Sequence, residues 1–203
     1  MKYRALSVAL LVAAPLAMGV SPRAPLEGTR SAEAAVAVLI SLEDLTAASA
    51  YVVVATAGEQ RSAWEETPSG RRIVTYTHLQ VDRSVDGPAE KELWVRTLGG
   101  VVDNIGQSVS GEAQLTSGSR SMLFLARGTA GLVVAAMAQG HYPVVEGEKT
   151  SKPMSPRLAG SPDAGMLLPR RGPTISARER LVGLSLDEAV LAVQRARAVI
   201  HAR

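Results

Sequence analysis

Between Arg72 and Val85 the chain alternates with a period of two: Ile73, Thr75, Thr77, Leu79 and Val81 fall on one side, and Tyr76, His78, Gln80 and Asp82 on the other. Successive side chains of a strand point to opposite faces, so the run predicts a half-buried β-strand. Asp86-Gly87-Pro88 supplies a turn after it. A second alternating run follows over 92–98, with Leu93, Val95 and Thr97 set against Trp94 and Arg96, and it stops at Gly99-Gly100. Two such runs around a short turn commit this part of the chain to antiparallel sheet.

More strands are expected on either side. Tyr51 to Ala57 is a β-branched run suited to a buried strand, and further strands are expected over 121–126, 132–138 and 141–145. Arg127-Gly128-Thr129-Ala130-Gly131 reads as a hairpin turn, and Gln139-Gly140 as an interruption. Ser41, followed by Glu43 and Asp44, marks the start of a short helix over about 42–49, because a serine hydroxyl caps free N–H groups and acids favour the positive helix end. Ser185-Leu186-Asp187-Glu188 matches a capping box opening a helix to about residue 202, with Leu186, Ala189, Val190, Val193, Ala196 and Ile200 as its apolar stripe. No period of 20–50 residues repeats. The expected fold is mainly β: about five short antiparallel strands closing into a small barrel that leaves few exposed edges, with a short N-terminal helix and a C-terminal amphipathic helix.

The first 19 residues read as an export signal. Lys2 and Arg4 give the positive start, Ala5 to Val12 the apolar run, and Ala17-Met18-Gly19 the small residues a signal peptidase needs. The run is shorter than the roughly 20 apolar residues of a membrane span. The expected product is a periplasmic or secreted protein beginning near Val20, without a transmembrane anchor once cut; Ala32-Glu33-Ala34 offers a second cleavage point. Residues 20–40 read as a disordered lead-in, 41–145 as the barrel domain, 146–180 as a linker rich in Pro, Gly and Arg, and 181–203 as the C-terminal helix.

The sequence contains no cysteine, which rules out a disulfide scaffold, thiol catalysis and lipoprotein anchoring, and leaves packing and hydrogen bonds to hold the core. The net charge of +3 is unevenly spread: residues 35–145 carry 8 basic and 11 acidic side chains, whereas 146–203 carry 10 and 6. With an acidic body, a basic tail and few aromatic residues, no nucleic-acid partner is expected.

Candidate functional residues concentrate in 99–119, a segment with five glycines read as one long irregular loop. Asp103, Asn104 and Gln107 are its expected binding contacts, since loops on rigid scaffolds carry function and these groups offer directed hydrogen bonds. Ser108 or Ser110 with Asp103 and His141 makes a weaker hydrolase reading, because Gly106 to Gly111 misses the nucleophile-elbow spacing by one position. His78, His141 and His201 lack a ligand spacing, and no metal or cofactor is expected. The adjacent acids Glu65–Glu66 and Asp187–Glu188 read as solvated.

Ser41-Leu42-Glu43-Asp44-Leu45, Arg72-Ile73-Val74-Thr75-Tyr76, Gly99-Gly100, Ile105-Gly106-Gln107, Met122-Leu123-Phe124-Leu125, Ala138-Gln139-Gly140 and the capped helix from Leu184 occur in an order that resembles a group of exported bacterial proteins of unknown function with a small OB-like, TIMP-like barrel. The resemblance covers about half the chain and implies a five-stranded OB-like barrel with no established activity. A zinc-chelating inhibitor mechanism of the tissue metalloprotease inhibitor kind requires an N-terminal cysteine that this chain lacks. The expected function is a non-enzymatic exported module that binds a protein or an envelope component. The alternatives are an extracytoplasmic hydrolase using the 99–119 loop and His141, and a polyanion binder acting through Arg170 and Arg171.

Overall fold

The computed structural model describes residues 36–67, 70–146, 155–170, 172 and 174–202, all within one unit, Glu33–Arg203. The expected signal over 1–19 and residues 20–35 of the lead-in lie outside them, as do 147–154 of the expected linker.

The elements in chain order are β1 (Val36–Val38), α1 (Leu42–Ala48), β2 (Tyr51–Thr67), β3 (Gly70–Asp86), β4 (Glu92–Leu98), β5 (Gly100–Val102), β6 (Ile105–Gln107), β7 (Arg120–Gly128), β8 (Gly131–Val134), β9 (His141–Val145), β10 (Arg157–Leu158), β11 (Met166–Leu168), α2 (Ala177–Leu181) and α3 (Leu186–His201). Short 3-10 turns occupy Met137–Gly140 and Pro162–Ala164. The protein is mainly β, with a seven-stranded sheet in the order β10-β9-β7-β2-β3-β4-β8. β8 lies parallel to β4 and also pairs antiparallel with β7, so the pairing passes from β7 through β2, β3, β4 and β8 back to β7.

Burial explains which runs alternate and which do not. β2 and β7 are covered on both faces: Val52, Val54, Met122 and Phe124 face a core shared with the helices, while Val53, Ala55, Ala57, Leu123 and Leu125 face a second core with Leu79, Val95 and Val134. Both sides of these strands must therefore be apolar, and their sequences read as continuous runs. β3 has one wet face over most of its length and keeps the alternation.

Seven strands form the sheet where about five were expected, β1 falls within the expected lead-in, and three further stretches differ from expectation. β2 runs ten residues beyond Ala57, because the polar segment Glu59–Thr67 is held extended by its pairing with β3. The strand expected over 132–138 ends at Val134; Ala136 and Met137 take left-handed conformations (φ 53° and 55°) that turn the chain into the first 3-10 turn. The 146–180 stretch is not simply a linker: β10 adds to the sheet edge, β11 pairs in parallel with β1, and α2 opens with a second capping box, Ser176 with Glu179.

The C-terminal helix belongs to the core. Leu158, Leu181, Val190 and Val193 are at most 2% exposed and pack with Leu42, Leu45, Phe124 and Tyr142. The uneven charge of the sequence is thereby matched within the molecule: Arg170 pairs with Asp44 at 2.5 Å, Arg180 with Glu43, and Arg197 with Asp86 while also donating to the carbonyls of Thr46 and Ser49. The basic tail lies on the acidic face of α1 and the end of β3.

Candidate functional site

Two glycines let the chain cross closely over the β2–β3 pair after β4. Gly99 (φ 93°) and Gly100 (φ 137°) occupy backbone regions that a Cβ disfavours. A Cβ on Gly100 would lie 2.6 Å from Ser62 Oγ, and one on Gly99 would lie 2.7 Å from the Gln107 carbonyl. The expected irregular loop starts instead with a hairpin, β5–β6, turning at Asp103 (φ 54°) and Asn104.

Hydrogen bonds fasten this hairpin. Gln107 Oε1 accepts from the Ile73 N–H at 2.6 Å, the Gly99 N–H donates to the Ile73 carbonyl at 2.8 Å, and Thr75 Oγ1 donates to the Gly99 carbonyl at 2.7 Å while sharing a 2.9 Å bond with Ser62 Oγ. Beyond the hairpin, Ala113 and Leu115 are buried in the second core, and the Gln60 amide donates to Thr77 Oγ1 at 3.1 Å and to the Leu115 carbonyl. Residues 108–115 are thus pinned at both ends, leaving a cleft of about 440 Å³ beneath them.

Glu112 lines the cleft, alongside Gln60, Thr75, Thr97, Gln107 and Ser108. It is only 7% exposed, and burial pushes its carboxyl up to about 7, against the opposing pull of a Leu98 backbone hydrogen bond and the Arg96 charge. Arg96 does not neutralise it. That guanidinium is held by Glu65 at 2.7 Å, and the same carboxylate takes the Tyr76 hydroxyl, which holds it below the ordinary carboxylate range. Glu112 makes no ion pair among the described residues.

The three residues expected to bind separate into two roles. Asp103 and Asn104 are exposed at the hairpin tip and do not line the cleft; Gln107 lines it, although its side-chain oxygen is engaged by β3. Sequence reasoning missed Glu112, whose only local signal is an acid set against the apolar Ala113 and Leu115. The hydrolase constellation is not assembled in one place. Ser108 lines the cleft, whereas His141 lines a separate cavity of about 10 Å³, with its Nε2 3.1 Å from Ser121 Oγ and its Nδ1 without a partner among the described residues. Ser121 and His141 are both at most 5% exposed, and burial holds the imidazole down at about 4. His78 lies elsewhere, on the outer face of β3, its ring 5.1 Å from Trp94.

No helix among the described residues is long and apolar enough to cross a membrane. No family model matches the chain, and neither a curated protein nor a solved structure matches it.

Proposed function

We propose that the protein is an exported binding module built on an OB-like barrel, and that its ligand seat is the cleft beneath residues 108–115. The observation that carries this reading is a cleft of about 440 Å³ lined by a nearly buried carboxyl that takes a Leu98 backbone hydrogen bond and has no ion pair among the described residues. Small-ligand sites have this size and typically contain a few placed polar groups, and burying an ionisable group without a counter-charge destabilises a fold that gains nothing else from it. The barrel reading is supported by the return of the pairing to β7 and by the parallel β4–β8 contact. Export is supported by the charged start, apolar run and small-residue site of the first 19 residues.

A binding role suits the cleft better than hydrolysis, since its serine and the buried histidine occupy different cavities. Polyanion binding through the tail is disfavoured by the pairing of Arg170 with Asp44, which spends the charge internally. Nuclear magnetic resonance titration with a fragment library tests the reading: amide shifts should cluster on 97–115 and on Gln60 and Thr75. Gly106→Trp is the control. Gly106 lines the cleft, and a Cβ there meets only a Val101 methyl at 3.9 Å, so an indole can be placed at the cleft without a backbone clash. Shifts that cluster elsewhere, or survive in Gly106→Trp, refute the assignment.

A further inference from the structure

Resting on the cleft as the ligand seat, we propose that it selects an organic cation, an ammonium or guanidinium group, which ion-pairs with Glu112. Glu112 is the one ionisable side chain in the lining, and no Lys or Arg is among the lining residues. An anion entering the cleft gains no counter-charge from the lining. A neutral ligand leaves the ionised carboxylate without a counter-charge. A cation with N–H donors supplies both the counter-charge and the hydrogen bonds that a buried carboxylate requires, and charge-assisted bonds of this kind are the strong ones.

A divalent metal fits less well. Calcium takes six to eight oxygen ligands and magnesium a near-ideal octahedron, usually through more than one carboxylate or a phosphate. Among the described residues no group of three or more His, Asp or Glu side chains could hold a metal ion. Arg96 is the nearby cation that acts on Glu112, and its commitment to Glu65, braced by Tyr76, keeps it out of the role assigned to the ligand. The cleft, at about 440 Å³, has room for a planar or tetrahedral head. The cation can come from a free amine or guanidine or from a Lys or Arg side chain of a polypeptide; the recognition chemistry is the same.

Ion pairing requires the ionised carboxylate, so binding should release a proton wherever Glu112 is protonated in the free protein. With its carboxyl near 7, affinity should rise about tenfold from pH 6 to pH 8. The experiment is calorimetric titration of the full chain with ethylguanidinium, butylammonium, the neutral isostere N-ethylurea, propionate and calcium, repeated in buffers of different ionisation enthalpy. A blocked Gly-Arg-Gly peptide forms a parallel arm. Both organic cations should bind at least tenfold more tightly than N-ethylurea, with proton release at pH 6.5, and Glu112→Gln should remove the preference and the pH dependence. Much tighter binding of the peptide than of ethylguanidinium identifies a polypeptide as the source, and equal binding a free small molecule.

Should Glu112→Gln fail to fold, the ratio of ethylguanidinium to N-ethylurea affinity in the unaltered chain and its dependence on pH carry the comparison. N-ethylurea binding as well as ethylguanidinium overturns the proposal, as does calcium binding in preference to both cations, or cation binding unchanged in Glu112→Gln. If no cation binds while neutral fragments still shift the cleft amides, the cation assignment fails and the ligand seat stands. If nothing shifts those amides, both fail.

Discussion

Glu112 and His141 are displaced by burial in opposite directions, and their effects on stability should cancel in the intact protein. Glu112 is raised from 4.5 to about 7, so between those values the folded chain holds a proton that the unfolded chain has lost, and stability falls as pH rises. His141 is lowered from 6.5 to about 4; there the unfolded chain holds the extra proton, and stability rises with pH. Each displacement corresponds to about 3 kcal/mol over its full window. The windows overlap from 4.5 to 6.5, where the two slopes are nearly equal and opposite. Removing one group should expose the other. Glu112→Gln is expected to gain about 2 kcal/mol of stability relative to its own acid value as pH rises across that overlap, or about 4–8 °C in Tm for a chain of this size. Urea unfolding followed by circular dichroism at half-unit pH steps measures it, with the wild type as reference. The carboxylates held low by hydrogen bonds, Glu65 among them, contribute their loss mainly below 4.5 and leave this window clear. A Glu112→Gln profile that runs parallel to the wild type within about 1 kcal/mol refutes the opposed pair.

Gly100→Ala should cost about 1–3 kcal/mol, since it combines a disfavoured φ with a close approach to Ser62 and Thr75; Gly106→Ala, in open space, is the matched control, and equal losses by chemical denaturation refute the close-crossing account. Leu181→Ala should lose about 2–5 kcal/mol by the same assay, because the side chain is fully buried among the helices and sheet. A chain ending at Val145 should show no cooperative thermal transition, having lost Leu158, Leu181, Val190 and Val193 from the core; a retained transition shows that the sheet stands without its tail. N-terminal sequencing of the protein from its native host should find Val20 at or near the start, and an intact Met1 in the cytoplasmic fraction refutes export.

The parts of the fold that were legible in the sequence are those determined locally. α1 and α3 begin at Ser41 and Ser185 because capping is settled within four residues. β3 and β4 alternate because their environment changes from face to face. The distal half of β2 was not legible: Glu59, Gln60, Arg61 and Ser62 carry no apolar period, and only the opposite strand holds them extended. The same is true of 157–168, whose pairings with β9 and β1 are invisible to any local window. At the site, an Asp-Asn hairpin tip and a glutamine that fastens β6 to β3 share the composition of a binding loop, so sequence reasoning selected all three residues. Glu112 stayed hidden because its importance comes from burial, and a glycine- and serine-rich segment gives no sign of being pinned at both ends.

The helical side of the core joins partners far apart in the chain. Arg197 on α3 reaches the Thr46 carbonyl at the end of α1 across 151 residues of sequence, and β1 finds its parallel neighbour only in β11. Contacts of such long separation require the ends of a large loop to meet before they yield any stabilisation, which slows folding. Until the last residues dock, β2 and β7 therefore each lack the cover for one apolar face. Val52, Val54, Met122 and Phe124 are the residues left uncovered at that stage, and completion waits for α3.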